Sequence, residues 1–432
     1  MIVLLVVSIC AVTLPYWLPA AVIALRIRLF ARINGTEGIV IPGDLDVSRF
    51  MEVYSHPAAD GRSRGAALSD LFWYWLSPGA EIHQEHLEPG PLYDEVARCT
   101  RRMLTMPSHT ADRLAVESVE AAYHGRAGLV RLRDELMPVW AEFYHRVVFR
   151  APCPPEVRDM IVASAADVAD ALKCRTLRHM DRRLRLTGHL KASLGEVPHV
   201  LPMLLDARQR ALYLQGTFFT TAVVQSAEAS AHVLMELARH PEIQRRAATD
   251  EKLLEHVIDE TLRMYPLFGI AHRVTSGEIA LDDGTAIPAG SVVCFDYLEY
   301  QRAGCPDHDR FDPYRRSRPN HIPFGVAVNR PCPAWHLAPL TVRSVVREIL
   351  TRHTLETTAA HTRAIPNRAP CLATPSNTRP HLRRTKLLWL RLRDRWEDVG
   401  RSLTQLVLGT YMVWHARHLR LCERHFAQHD SA

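Results

Sequence analysis

A chain of 432 residues is long enough for one large domain or two ordinary ones, and 47% hydrophobic with 23% charged residues suits a folded, soluble body. The net charge of +6 is modest, and no long stretch carries a dense basic stripe interleaved with aromatics, so nucleic acid is not an expected partner. Nine cysteines at irregular spacings, with no Cys-x-x-Cys pair, argue against a disulfide framework or a zinc ribbon and for a reducing compartment.

From Ile2 to Leu25 no residue is charged, a length sufficient to cross a bilayer as a helix. Pro15 and Pro19 fall inside it, and prolines are tolerated in such segments. Arg26, Arg28 and Arg32 follow directly, which by the positive-inside rule keeps the body of the protein cytoplasmic and the N-terminus outside. The expectation is a single-pass signal anchor over residues 1–30. A cleaved signal peptide fits less well, because no basic residue precedes the apolar run and no clear small-x-small site ends it.

The aromatic run Leu71-Phe72-Trp73-Tyr74-Trp75-Leu76 is expected in a core or an interface rather than on a substrate. Beyond it the helical period dominates. Thr110–Tyr123, Leu129–Phe149 and Pro155–Lys173 read as helices, and Asp206–His240 as one long helix stopped by Pro241. A further helix covers Leu253–Tyr265. Short strands are predicted at Ile270–Val274, Glu278–Leu281 and Val292–Asp296, with Asp282-Asp283-Gly284 as a turn. Irregular chain from Gly304 to Pro331 leads to a last helix of the main body, Ala334–His353. The run Pro375–Pro380 looks like a linker, so residues 31–378 form the expected main domain and 379–432 a basic extension. In that extension six basic residues from Arg383 to Arg395 alternate with Leu387, Leu388, Trp389, Leu390 and Leu392. Gly400 then separates a second helical stretch holding Leu403, Leu406, Val407, Tyr411, Met412 and Trp414. Such helices either lie on an anionic membrane, dock an acidic partner, or pack on their own domain.

The chemistry concentrates between these limits. Glu260-Thr261-Leu262-Arg263 is a Glu-x-x-Arg on one helix face, followed by the small β segment, Phe311-Asp312-Pro313-Tyr314-Arg315, Phe324-Gly325, and Arg330-Pro331-Cys332-Pro333-Ala334 opening a helix. In this order the motifs resemble the cytochrome P450 family of haem-thiolate monooxygenases, over about Asp206 to Pro375. The resemblance implies a mostly α-helical fold with a small β-rich side, and non-covalent haem b with Cys332 as the axial thiolate. No Cys-x-x-Cys-His exists for covalent attachment. It also implies that Glu260, Arg263 and Arg315 form a structural cluster and that Arg273 and Arg330 bind the haem propionates, a task that suits the guanidinium fork. A cysteine at a helix N-terminus would in addition feel the positive end of the dipole.

Two departures from the family pattern stand out. Gly325 and Val328 occupy the positions seven and four before the cysteine, with Phe324 eight before, as though one residue were inserted. The long helix also lacks the usual acid and threonine that organise protons: Val224-Gln225 stand there, with Thr221-Ala222 upstream. Gln225 and Thr221 are the candidates for the oxygen side. The leading expectation is a membrane-anchored monooxygenase for a small, largely apolar substrate in specialised metabolism. Its electrons would come from a separate ferredoxin or flavoprotein, because no Gly-x-Gly-x-x-Gly fingerprint occurs here. Peroxide-dependent or rearrangement chemistry is the second reading, and a non-catalytic haem-binding scaffold at the membrane the third.

Overall fold

The computed structural model describes residues 2–34, 38–326, 329–376, 378 and 382–431. The described chain is mostly helical with three small sheets. Strand β1 (Ile39–Ile41) pairs in parallel with β6 (Val292–Asp296), and β6 pairs antiparallel with β3 (Ile270–Val274). Strands β2 (Gly128–Arg131), β8 (Pro370–Pro375) and β7 (His353–Glu356) form the second sheet, and β4 (Ile279–Ala280) and β5 (Ala286–Ile287) a two-stranded hairpin. Between β4 and β5 the predicted turn is present: Gly284 takes φ +85° and the Asp283 carboxylate accepts from Thr285 N–H at 2.9 Å.

One strand contradicts a helical pattern. Residues 129–131 were expected at the head of a helix but pair with β8 as part of β2, and the helix begins at Leu132. Gly128 at φ +105° breaks the helical path there, and the strand hydrogen bonds outweigh local propensity. Leu132–Phe149 then buries Trp140, Phe143 and Tyr144 in the main core, against the C-terminal part of the long helix. A second core of aromatics, with Phe50, Phe295 and Tyr300 mutually stacked or edge-on, supports the β-rich side.

The predicted helix over 206–240 begins as expected, with an Asp206/Gln209 capping box. It is not uniform. An α-helix over Ala207–Leu214 passes into a π-helical stretch, Gln215–Ala222, and resumes as α over Val223–Arg239. Widened turns of this kind redirect side chains and cluster at functional sites. The helix after the cysteine is shorter than expected: it runs Leu337–Arg352, and residues 333–336 form a turn.

The two ends of the chain meet. The N-terminal segment is a helix from Ile2 to Asn34, of which Val12–Ile33 is long and apolar enough to cross a membrane. The extension after the expected linker is one unbroken helix, Arg383–Leu419, that runs through Gly400 rather than stopping there. A lone glycine inside a long amphipathic helix costs only about 1 kcal/mol, which packing outweighs. Arg420, at φ 45°, breaks the path before the last helix, Leu421–Asp430. The aromatic run falls in Ala67–Leu76, whose Leu71, Trp73 and Tyr74 are buried against both C-terminal helices. Within the expected linker, residues 377, 379 and 380 lie outside the described residues.

Candidate active site

The Cys332 loop is built by local hydrogen bonds. Cys332 N–H donates to the Phe324 carbonyl, eight positions earlier, at 3.0 Å. Gly325 turns the chain at φ +73°, a region that favours glycine, and an added Cβ would sit 3.0 Å from the Tyr54 hydroxyl. Arg330 holds the left-handed conformation at φ 50°, a strained choice for a long side chain. Val328, one of the two positions where the loop departs from the family pattern, lies outside the described residues. Cys332 is half-buried and lines a cavity. Burial pushes its thiol up to about 11, against a hydrogen bond from Ala334 N–H that lowers it. With the following helix starting only at Leu337, the nearest dipole on sulfur is this amide rather than a helix terminus.

The cavity is lined on one side by Phe324, Arg330, Cys332 and Ala338 and on the other by the π-helical turn and its continuation: Thr217, Phe218, Thr221, Gln225 and Ala229. Arg273, from β3, and Arg62 complete one end. All five expected residues on the iron, propionate and oxygen sides (Cys332, Arg273, Arg330, Thr221 and Gln225) therefore face one space.

Three guanidinium groups crowd that end. Arg273 stacks on the Tyr54 ring at 3.9 Å and donates to the Tyr54 carbonyl at 3.1 Å. Arg330 stacks on Tyr93 at 3.8 Å and donates to the Leu87 carbonyl at 2.6 Å. Arg62 is only 4% exposed and has Glu85 at 3.6 Å. Burial lowers Arg273 to about 10 and also lowers Arg330, and in each case Arg62 adds to the effect. Arg62 Nε, Arg273 Nε, Arg330 Nη2 and Gln84 Oε1 have no hydrogen-bond partner among the described residues. Buried cations with open N–H groups around a cavity form a receptor for an anionic group. Among the described residues lining the cavity, Glu85 is the only carboxylate. A thiol on one wall and these arginines at one end fit a flat, iron-bearing cofactor with two carboxylates.

On the opposite wall the sequence pattern missed a partner. Thr221 Oγ1 lies 2.7 Å from His83 Nε2, and His83 Nδ1 accepts from Glu85 N–H at 3.3 Å. With Nδ1 as acceptor, Nε2 of the neutral ring carries the proton and donates to Thr221. Burial lowers the His83 pKa, so the neutral ring is the resting form. Gln225 lies one helical turn further on. Neither His83 nor Arg62 sits in a recognisable motif, since both come from irregular chain far away in sequence.

The Glu260 cluster is closed. Arg263 pairs with both carboxylate oxygens at 2.8 and 3.0 Å, Arg315 Nε reaches Oε1 at 3.2 Å, and Arg318 Nε, which the sequence did not single out, reaches Oε2 at 3.0 Å. Burial alone would raise the Glu260 pKa, but the three arginines outweigh it and hold the carboxyl below its ordinary value.

Comparison with known proteins bears on the fold that carries this cavity. The family model "Cytochrome P450" matches residues 209–381. Cytochrome P450 11B2 of Mus musculus is 30% identical over 148 residues, 29% of this chain and 29% of that protein. A cyclooctat-9-en-7-ol 5-monooxygenase of Streptomyces melanosporofaciens is 35% identical over 118 residues, 23% of this chain and 26% of that protein. The chain thus matches less than a third of the length of these curated relatives. Shape extends further. A 6-coordinated cytochrome P450 from Thermus thermophilus superposes with TM-score 0.60 at 18% identity, covering 75% of this chain and 90% of that one. A zebra fish cytochrome P450 with abiraterone gives 0.62 at 17% identity, covering 77% and 93%. The fold is that of a cytochrome P450, and residues 209–381 match the model of that family, whose members hold haem b through a cysteine thiolate.

Proposed function

We propose that the protein is a haem-thiolate monooxygenase acting on a small, largely apolar substrate in specialised metabolism, with electrons supplied by a separate ferredoxin or flavoprotein. The observation that carries this reading is the Cys332 thiol facing a cavity whose end is lined by the buried Arg62 and Arg273 and the half-buried Arg330, each with an open N–H group. Cys332 would hold the haem iron, and Arg330, Arg273 and Arg62 would hold its propionates. Ala334 N–H would temper the charge on sulfur. Haem bound through a thiolate supplies dioxygen activation, since the sulfur pushes electron density toward the bond to be cleaved. The apolar wall, with Phe218, Ala229, Leu262 and Leu267, orients an apolar substrate and excludes water. Thr221, fixed by His83, presents its hydroxyl proton to the cavity, and Gln225 offers an amide beside it. These two remain our candidates for the oxygen side, with Glu260, Arg263 and Arg315 as the structural cluster.

We take residues 31–378 as the haem domain, 1–30 as a membrane-attachment segment on its cytoplasmic side, and 379–432 as the basic extension. The reduced, carbon-monoxide-treated spectrum is the first test: wild type is expected to show the thiolate signature and Cys332→Ala to lose it. Retention of that signature in the variant would remove the proposal's foundation.

A second reading, peroxide-dependent or rearrangement chemistry, draws on one observation: no carboxylate stands on the helix wall of the cavity. Consumption of dioxygen and reduced cofactor by a reconstituted redox chain supports the first reading. Turnover that needs neither supports the second.

A further inference from the structure

The two chain termini form one surface. Arg395 lies over the Tyr16 ring at 4.4 Å, Arg26 Nη1 donates to Gln405 Oε1 at 2.8 Å, and Phe30 packs against Gly409, where an added Cβ would meet its ring at 2.8 Å. The same offset of 379 positions relates all three pairs, so the N-terminal helix and the Arg383–Leu419 helix run parallel and in register. The glycine is what allows the close approach at Phe30.

The long C-terminal helix is apolar on the wrong side. Leu390, Ser402, Gly409, Met412, Val413 and Ala416 are buried on the face that docks on the body. On the opposite face Leu388, Leu392, Trp396, Leu403, Val407 and Trp414 recur at helical spacing and are 43–68% exposed. A soluble surface helix carries polar residues there. At 1.5 Å per residue this stripe is roughly 40 Å long. Val12, Tyr16, Trp17 and Ile27 of the neighbouring helix extend it. Arg384, Lys386 and Arg391 have no carboxylate partner among the described residues, whereas Asp394, Glu397 and Asp398 are already engaged by Arg401. The unpaired cations thus share the helix with the apolar stripe and flank it, Arg391 on the side toward residues 357–360, while the three acids are held in ion pairs.

The geometry points to the paired terminal helices as a docking surface for a bilayer of anionic lipid, lying in the membrane plane with the aromatic stripe at the headgroup–acyl boundary. In-plane binding follows from the pairing. Segment 12–33 lies beside residues 391–412, which carry Asp394, Arg395, Glu397, Asp398 and Arg401, and a spanning helix would draw those charges into hydrocarbon. This deepens the membrane attachment proposed above and does not depend on the haem.

Flotation of the full-length protein with vesicles tests it. Binding is expected with vesicles containing phosphatidylglycerol, with a blue shift of tryptophan emission, and at least tenfold weaker with pure phosphatidylcholine or in high salt. The double variant Arg384→Glu/Arg391→Glu is expected to lose at least tenfold, and Trp396→Ser/Trp414→Ser to bind more weakly with a smaller blue shift, Trp17 and Trp389 remaining. All four positions are exposed or half-buried on the surface, and the carbon-monoxide spectrum reports independently whether each variant keeps its haem domain. Alkaline carbonate is expected to release the protein. Equal binding to neutral vesicles, carbonate-resistant retention as a spanning helix, or self-association through the stripe without vesicle binding would each overturn the assignment.

Discussion

The molecule holds two clusters of three buried or half-buried arginines, and they differ in one respect. Around Glu260, three guanidinium groups converge on one carboxylate whose two oxygens are fully used. Around the Cys332 cavity, Arg62, Arg273 and Arg330 converge with stacking partners and backbone carbonyls and share no central carboxylate. An open N–H group occurs in both clusters, Arg263 Nη1 included, so the counter-charge is the difference. Buried cations without a shared carboxylate favour an anion supplied from outside the chain, which is the ground for the proposed propionate site.

Predictions follow that contrast from the strongest effect down. Cys332→Ala should abolish thiolate-ligated haem outright while leaving the helical circular dichroism in place. Glu260→Gln should destabilise the apoprotein by about 3–5 kcal/mol in denaturant titration, because three arginines lose their counter-charge in a buried site. Arg330→Ala and Arg62→Ala should act in the opposite sense on the apoprotein. Each removes an incompletely paired buried cation, so apoprotein stability should hold or rise slightly while haem retention falls about 10- to 100-fold, matching the 1.5–3 kcal/mol of a charged hydrogen bond. If haem retention is unchanged, the open cluster is not the propionate site.

Acid should also divide the two clusters. The Glu260 carboxyl is held below its ordinary value, so its stabilisation is present above about pH 4.5 and disappears as pH falls further. Beside the open cluster, burial lowers His272 to about 4, with Arg62 adding to the effect. The folded ring stays neutral while the unfolded chain binds the proton, so stability erodes earlier, from about pH 6.5 down to 4. His272→Phe should make that upper limb of a pH–stability curve less steep, the buried His86 and His232 contributing the rest, and leave the lower one. The smallest effect expected is at the oxygen side: His83→Phe should shift the pH profile of turnover while sparing the carbon-monoxide spectrum.

Legibility in the sequence tracked the distance over which information must travel. Cys332, Arg330, Arg273, Glu260, Arg263 and Arg315 could be found because each falls in an ordered local motif. Arg318 escaped although it lies only three residues from Arg315, since no pattern marks a third arginine. Arg62 and His83 were invisible, because they reach the cavity from irregular chain whose placement depends on tertiary packing. The π-helical turn was hidden too: residues 206–240 keep an apolar helical period that does not distinguish 3.6 residues per turn from a local widening. The strand at 128–131 was missed for a related reason, its partner lying about 240 positions away in β8. At the C-terminus the amphipathic pattern is visible in the sequence, but its continuity through Gly400 and the face that docks on the body come only from the fold.

The register between the terminal helices also sets a clock. The N-terminal helix leaves the ribosome first, and its partner follows 379 residues later. At typical elongation rates of 5–20 residues per second the gap is roughly 20–80 s. Throughout that interval an apolar segment is exposed to nascent-chain factors and to membrane before its own intramolecular partner exists. Biogenesis of this protein is therefore a race between early capture and late pairing, and slowing translation between the two helices should favour capture.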